Sequence, residues 1–255
     1  MARQPGVVLT DFTSYADSVP AALDACGAAK LLKKQKRVLI KPNLVNASPP
    51  PVTTPVECCA AIVRYVRAHA PQAEVVIAEG CGDVLRETPE LFAIHGYDLL
   101  SGREGVGLLD LNQAECVRVD NPEGEVFTEL WLPEAAMESF LISVPVLKAH
   151  SLADLTGSLK NLMGLLPPAR YGKGGAWKKS SFHARMQESL RDLARCRTPD
   201  LTLIDASIGL KEHHLGGSRC DPPLATLIAG PDALACDRAG AELLGLDWRD
   251  IGHLR

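Results

Sequence analysis

Short apolar runs alternate along the chain with stretches in which apolar positions recur every three or four residues. Val7–Thr10, Arg37–Ile40 and Glu74–Ala78 read as strands, with helices over Pro20–Leu32 and Pro55–His69 between them, a βαβαβ opening. From 84 to 136 the pattern weakens: Leu108–Leu111 and Cys116–Val119 fit short strands, and Asn121-Pro-Glu-Gly fits a turn. Periodicity returns with strands over Phe140–Val144, Leu201–Ile204 and Ala225–Ala229. Helices are expected near Gly157–Leu166, over Ser181–Arg195 behind the cap candidates Ser180 and Ser181, and over Pro231–Leu244. Strands this uniformly apolar, separated by helices, are buried on both faces. The fold class that follows is α/β, with a mainly parallel, doubly wound sheet and helices on both faces.

At 255 residues the chain is expected to form one α/β domain over 1–255, with a division into two lobes near 84–136 as the alternative. The ending Ile251-Gly-His-Leu-Arg offers no closing element and reads as a truncated C-terminus. Apolar residues at 46% and charged residues at 23% are ordinary for a globular protein. A net charge of −4 supplies no global basic field, so neither nucleic acid nor an anionic membrane is expected as a partner. The opening Met-Ala-Arg-Gln-Pro-Gly has no apolar leader core, which points to the cytoplasm. Eight cysteines lie scattered without a C-x-x-C, so no iron–sulfur cluster and no metal site is expected. Cys81, between two glycines at a strand end, reads as an accessible thiol.

In open parallel sheets ligands bind beyond the carboxyl ends of the strands. The predicted strands are followed there by Lys41-Pro-Asn43, Glu79-Gly-Cys-Gly-Asp83, Lys148-Ala-His150 and Asp205-Ala-Ser. Thr54-Pro-Val-Glu57 has the form of a capping box, and Thr156-Gly157-Ser-Leu-Lys160 offers a second Thr cap. Capped helix starts receive carboxylate or phosphate through free N–H groups. With Lys41, Lys148 and Lys160 close by, the expected partner is a small anionic molecule. In the last helix Leu234, Asp237, Ala241 and Leu244 share one face, so Asp237 is expected to point inward onto one of the lysines. Residues Leu165–Lys179 carry four positive charges, no acid and a Gly-Gly hinge, and read as a basic lid over the anion site.

The chain resembles the domain-of-unknown-function family 362 through Lys41-Pro-Asn43, Thr53-Thr-Pro55, Val144-Pro-Val-Leu-Lys148-Ala-His150, Thr156-Gly-Ser-Leu-Lys160-Asn161-Leu-Met-Gly164, and Gly230-Pro-Asp232 through Asp237 to Gly245. Many members of that family carry a ferredoxin-like iron–sulfur extension. A fainter resemblance links His150, Thr156-Gly157 and Lys160 to the His, Ser-Gly-Gly, Lys motif of the nickel-pincer lactate racemases, which implies that the lysine anchors the cofactor and the histidine is one of two catalytic bases. This chain has Ala78-Glu-Gly-Cys-Gly82 where those enzymes place the other histidine.

The expected function is that of an isomerase-like enzyme acting on a small carboxylate- or phosphate-bearing substrate. His150 is the general acid/base and Lys148 joins it in catalysis. Lys41, Asn43, Thr54, Thr156, Gly157, Lys160 and Asn161 bind the anion, and Glu79, Asp205 and Asp237 support them. The cofactor is left open. The alternative is a non-catalytic or electron-transfer partner of a separate iron–sulfur protein.

Overall fold

The structure, a computed structural model, describes residues 6–255. Of the opening Met1–Gly6, on which the cytoplasmic expectation rests, residues 1–5 therefore lie outside the described residues. Eleven strands form: β1 Val8–Asp11, β2 Arg37–Pro42, β3 Glu74–Glu79, β4 Gly107–Asp110, β5 Cys116–Asp120, β6 Glu129–Pro133, β7 Phe140–Val144, β8 Val146–His150, β9 Asp154–Thr156, β10 Leu201–Leu210 and β11 Thr226–Gly230. Nine of them make one sheet, running β1-β11-β10-β7-β2-β3-β4, while β5 and β6 pair as a separate ribbon. The pairs β10/β7, β7/β2, β2/β3 and β3/β4 are parallel, and β11 is antiparallel to both its neighbours. Beyond Pro145, β8 carries the line of β7 onward beside β10, and β9 folds back on β8.

The period-2 side-chain alternation of buried strands separates two cores. Val38, Ile40, Val75, Ile77, Ile142 and Leu203 pack under helices Tyr15–Ala25, Val56–His69 and Tyr97–Glu104. Leu39, Val76, Ala78, Leu141, Ile204 and Ile228 pack against Ser158–Asn161 with its following 3₁₀ turn, Met186–Cys196 and Ala233–Leu243. The sheet is doubly wound, as the sequence predicts. From β2 the chain moves outward to β3 and β4, then returns to the other side of β2 as β7. The strand order thus reverses between β2 and β7, the position where open α/β sheets leave a crevice.

Several local expectations change. The helix expected over 20–32 begins at Tyr15, capped by Ser14, and breaks at Gly27, whose φ of 79° is left-handed, before Ala28–Leu32 resumes. The helix expected from Ser181 starts at Met186, because the Ser180 hydroxyl accepts from the Trp177 N–H and donates to the Trp177 carbonyl instead of capping it. Strands β6, β8 and β9 and the helices Thr88–Ile94 and Tyr97–Glu104 lie where the pattern gave no clear signal.

Candidate functional site

At the carboxyl ends of β2, β3 and β8 lies a cavity of about 710 Å³. Lys41, Asn43, Glu79, His150, Lys160 and Asn161 line it, joined by Lys178, Lys179, His183 and His214. Lys41 is delivered by alternation: it shares the face of Leu39 on the central strand β2, so its ammonium leaves the sheet buried, only 1% exposed. Its Nζ donates to both oxygens of Glu79 at 2.9 Å, to Asn161 Oδ1 at 3.1 Å and to the Pro42 carbonyl at 3.1 Å. Glu79 also accepts from the Gly80 and Leu44 N–H groups. Burial lowers the Lys41 pKa even against the pull of the Glu79 carboxylate. Glycine at 164 is what admits this pair: a Cβ there would stand 2.3 Å from Lys41 Cε and 2.4 Å from Glu79 Oε1.

Lys160 is treated differently by its surroundings. Burial and the nearby charge of Lys41 lower its pKa to about 8, and among the described residues neither a carboxylate nor a hydrogen-bond acceptor holds it. Its charge acts on a wall of imidazoles. It helps hold His150, His183 and His214 below the usual histidine pKa, after burial as the main cause, with His214 down to about 3. The rings of His150 and His214 stack at 3.7 Å, a contact that suits neutral imidazoles.

The hydrogen bonds of two histidines assign their protons. His150 Nδ1 accepts from the Leu152 and Ala153 N–H groups at 3.0 and 3.1 Å, so the ring hydrogen sits on Nε2. His183 Nδ1 faces the Lys179 carbonyl at 2.9 Å and must donate, which leaves a lone pair on Nε2. Of the acid/base role expected of His150, these bonds leave its neutral ring the donor half, while His183 offers an acceptor nitrogen.

Other expected residues do not reach the cavity. Lys148 lies beneath it, 1% exposed, donating to the Val52 carbonyl at 2.6 Å and to Asn43 Oδ1 at 3.5 Å, and burial lowers its pKa to about 7. Thr54 is no helix cap: its hydroxyl accepts from the Asn43 N–H and donates to the Val144 carbonyl, fastening the loop after β2 to β7. Thr156 caps nothing either, and its hydroxyl is buried without a partner. The carboxylate of Asp237 fills that helix start, accepting from the Ser158 and Leu159 N–H groups at 2.5 and 2.8 Å. Asp237 points inward as expected, but its partners are amides and not a lysine. A Cβ on Gly157 would stand 2.3 Å from the Asp237 oxygen, so this glycine serves the carboxylate's approach and not a ligand. Asp205 accepts from the Tyr15 hydroxyl and the Ser207 N–H, away from the cavity. Cys81 is fully buried, with Lys178 Nζ 3.5 Å from its sulfur, which corrects the accessible thiol.

The basic segment over 165–179 is tied down at its far end. Lys178 donates to Glu87 and to the Arg86 carbonyl, and buried Lys179 donates to the Gly80 carbonyl at 2.6 Å. Burial lowers Lys179 to about 7. His183 and His214 went unselected in the sequence because neither follows a predicted strand; the only signal was the nearness of His183 to the basic segment.

Known proteins are similar to this chain in sequence or in fold. A thylakoid-associated protein of Synechocystis sp. is 29% identical over 234 residues, spanning 87% of this chain and 67% of its own. The solved lactate racemase apoprotein from Thermoanaerobacterium thermosaccharolyticum superposes with a TM-score of 0.55 at 16% identity, over 92% of this chain and 56% of that one. This likeness is one of fold, and the chain spans little more than half of the racemase. Residues 38–242 match the model of the domain of unknown function DUF362, and the chain belongs to that family.

Proposed function

We propose that this protein is an enzyme of the cytoplasm, working as one α/β unit, that binds a small carboxylate or phosphate at Lys160 and moves a proton beside it. One observation carries the reading: Lys160 is a half-buried ammonium on the wall of the cavity, without a carboxylate or acceptor among the described residues, and it shares that wall with three imidazoles whose basicity it lowers. The fully buried Lys41, by contrast, is paired, as cations in protein interiors are. An unpaired cation on a cavity wall is free to meet an anion that arrives from outside.

The chemistry follows from the two tautomers. His183 Nε2 supplies the lone pair that takes a proton from the carbon next to a carboxylate, and His150 Nε2–H donates to the oxygen on which charge develops. An anion on Lys160 cancels the charge that depresses the imidazoles and so raises the basicity of His183 on binding. The Lys41–Glu79 pair, with Asn43 and Asn161, keeps the floor of the site rigid. In place of the free anion, the resemblance to nickel-pincer racemases implies a cofactor anchored through Lys160, whose unpaired amine with a pKa near 8 suits such attachment. Among the described residues no cluster of three or more His, Cys, Asp or Glu side chains is assembled to hold a metal ion. Among the described residues no helix is long and apolar enough to cross a membrane.

The test combines calorimetry with proton NMR. Phosphate and a panel of 2-hydroxy acids should bind, Lys160→Met should weaken binding at least a hundredfold, and the Cα hydrogen of a substrate should exchange in deuterium oxide with little loss of chirality, as one base returns the proton to the same face. His183→Gln should stop exchange and leave binding intact. Equal anion affinity in wild type and Lys160→Met would defeat the proposal.

A further inference from the structure

The anchor uses little of its cavity. An anion of five or six heavy atoms, at the roughly 30 Å³ that a water takes in the liquid, fills about a quarter of the 710 Å³. The rest leads to an unusual rim. Val84, Leu85, Leu152, Trp177 and Leu215 all line the cavity, and each is between 45% and 83% exposed. Among the described residues the other exposed large apolar side chains are Leu9, Ile94 and Leu99, none of which lines it. Single exposed apolar residues are ordinary, but five converging on one opening from four different loops are not.

We infer that the ligand is an amphiphilic anion, its carboxylate or phosphate held at Lys160 and its apolar tail lying among Val84, Leu85, Leu152, Trp177 and Leu215. The inference rests on the anion-site reading and names the substrate class of that same site. Shape favours a single molecule over a macromolecular partner. A specific protein interface covers about 800 Å² per partner, whereas these side chains ring a hole whose floor is polar. The Trp177 ring is stacked on His183 at 4.7 Å, so the apolar rim adjoins the proton-transfer group. A tail seated there would exclude water from His183.

A homologous series of methyl, butyl, hexyl and octyl phosphates, each below its micelle concentration, tests this by calorimetry on the full chain. Affinity should rise roughly two- to fourfold per methylene, as burial of each CH₂ requires. The Leu85→Ser, Leu215→Ser double variant should flatten that rise and leave the affinity for inorganic phosphate unchanged. Phosphate binding with no dependence on tail length would overturn the inference and spare the anion site, while failure of both phosphate and alkyl phosphates to bind would remove both. A length dependence that survives the double variant would put the tail elsewhere and reject the placement. Co-sedimentation with phosphatidylcholine vesicles containing phosphatidic acid, without binding of octyl phosphate, would assign the rim to a lipid surface and overturn it as well.

Discussion

Helix Ser158–Asn161 meets negative charge in two ways within three residues. At its start the N–H groups of Ser158 and Leu159 receive the carboxylate of Asp237, folded in from a helix late in the chain. At Lys160 a positive charge borders the cavity and, among the described residues, receives neither a carboxylate nor an acceptor. Lys41, which lowers the pKa of Lys160, sides with the first case, since Glu79 grips it through both oxygens. Charges that serve the fold are compensated from within. The exception leaves a cost in the unliganded protein that an incoming anion can relieve.

Breaking the compensated pairs should have the largest effects. Glu79→Gln leaves Lys41 buried without a counter-charge, and urea denaturation should show a loss of about 3–5 kcal/mol. A loss below about 1 kcal/mol would mean that the pair is not the structural partner of the comparison. Asp237→Ala strands two buried N–H groups, and the same measurement should show a loss of about 2–4 kcal/mol. Lys160→Met is the counter-test: stability should stay level or rise by up to about 1 kcal/mol, because a partly desolvated, unpaired charge is removed. A large loss of stability there would show that Lys160 has an internal partner after all.

The same lysines impose a pH dependence on the whole chain. Burial holds Lys148 and Lys179 at about 7 and Lys160 at about 8 in the folded protein, whereas in the unfolded chain lysine titrates at about 10.4. Between pH 7.5 and 8.5 the unfolded state therefore binds about two more protons, so stability should rise with pH across that window, by about 3 kcal/mol. Asp237, raised by burial to about 7, opposes this trend only at lower pH. Saturating phosphate should restore the proton on Lys160 and flatten the slope, which thermal melts with and without phosphate would register. A slope of the opposite sign would remove the depressed lysines from the account.

Much of this arrangement was legible along the chain. Alternating apolar positions in 37–40, 74–78 and 140–144 specify buried strands, and the helices between them force the strands parallel, so everything that follows a strand gathers at one edge. That is why Lys41, His150, Lys160 and Asn161 could be selected before the fold was known. What was not legible was how each group is used. Thr54 and Thr156 look like helix caps in a local window, yet Thr54 bonds Val144 and the second helix start takes Asp237, 79 residues from Ser158. Which lysine is paired depends on Glu79 reaching Lys41 across 38 residues and on no carboxylate among the described residues reaching Lys160. His183 and His214 enter the site from segments with no periodic signal. Backbone conformation and burial follow from neighbours along the chain. The protonation and availability of a charge follow from the solvent removed around it and the partner opposite it, and those are distances in space that no spacing along the chain contains.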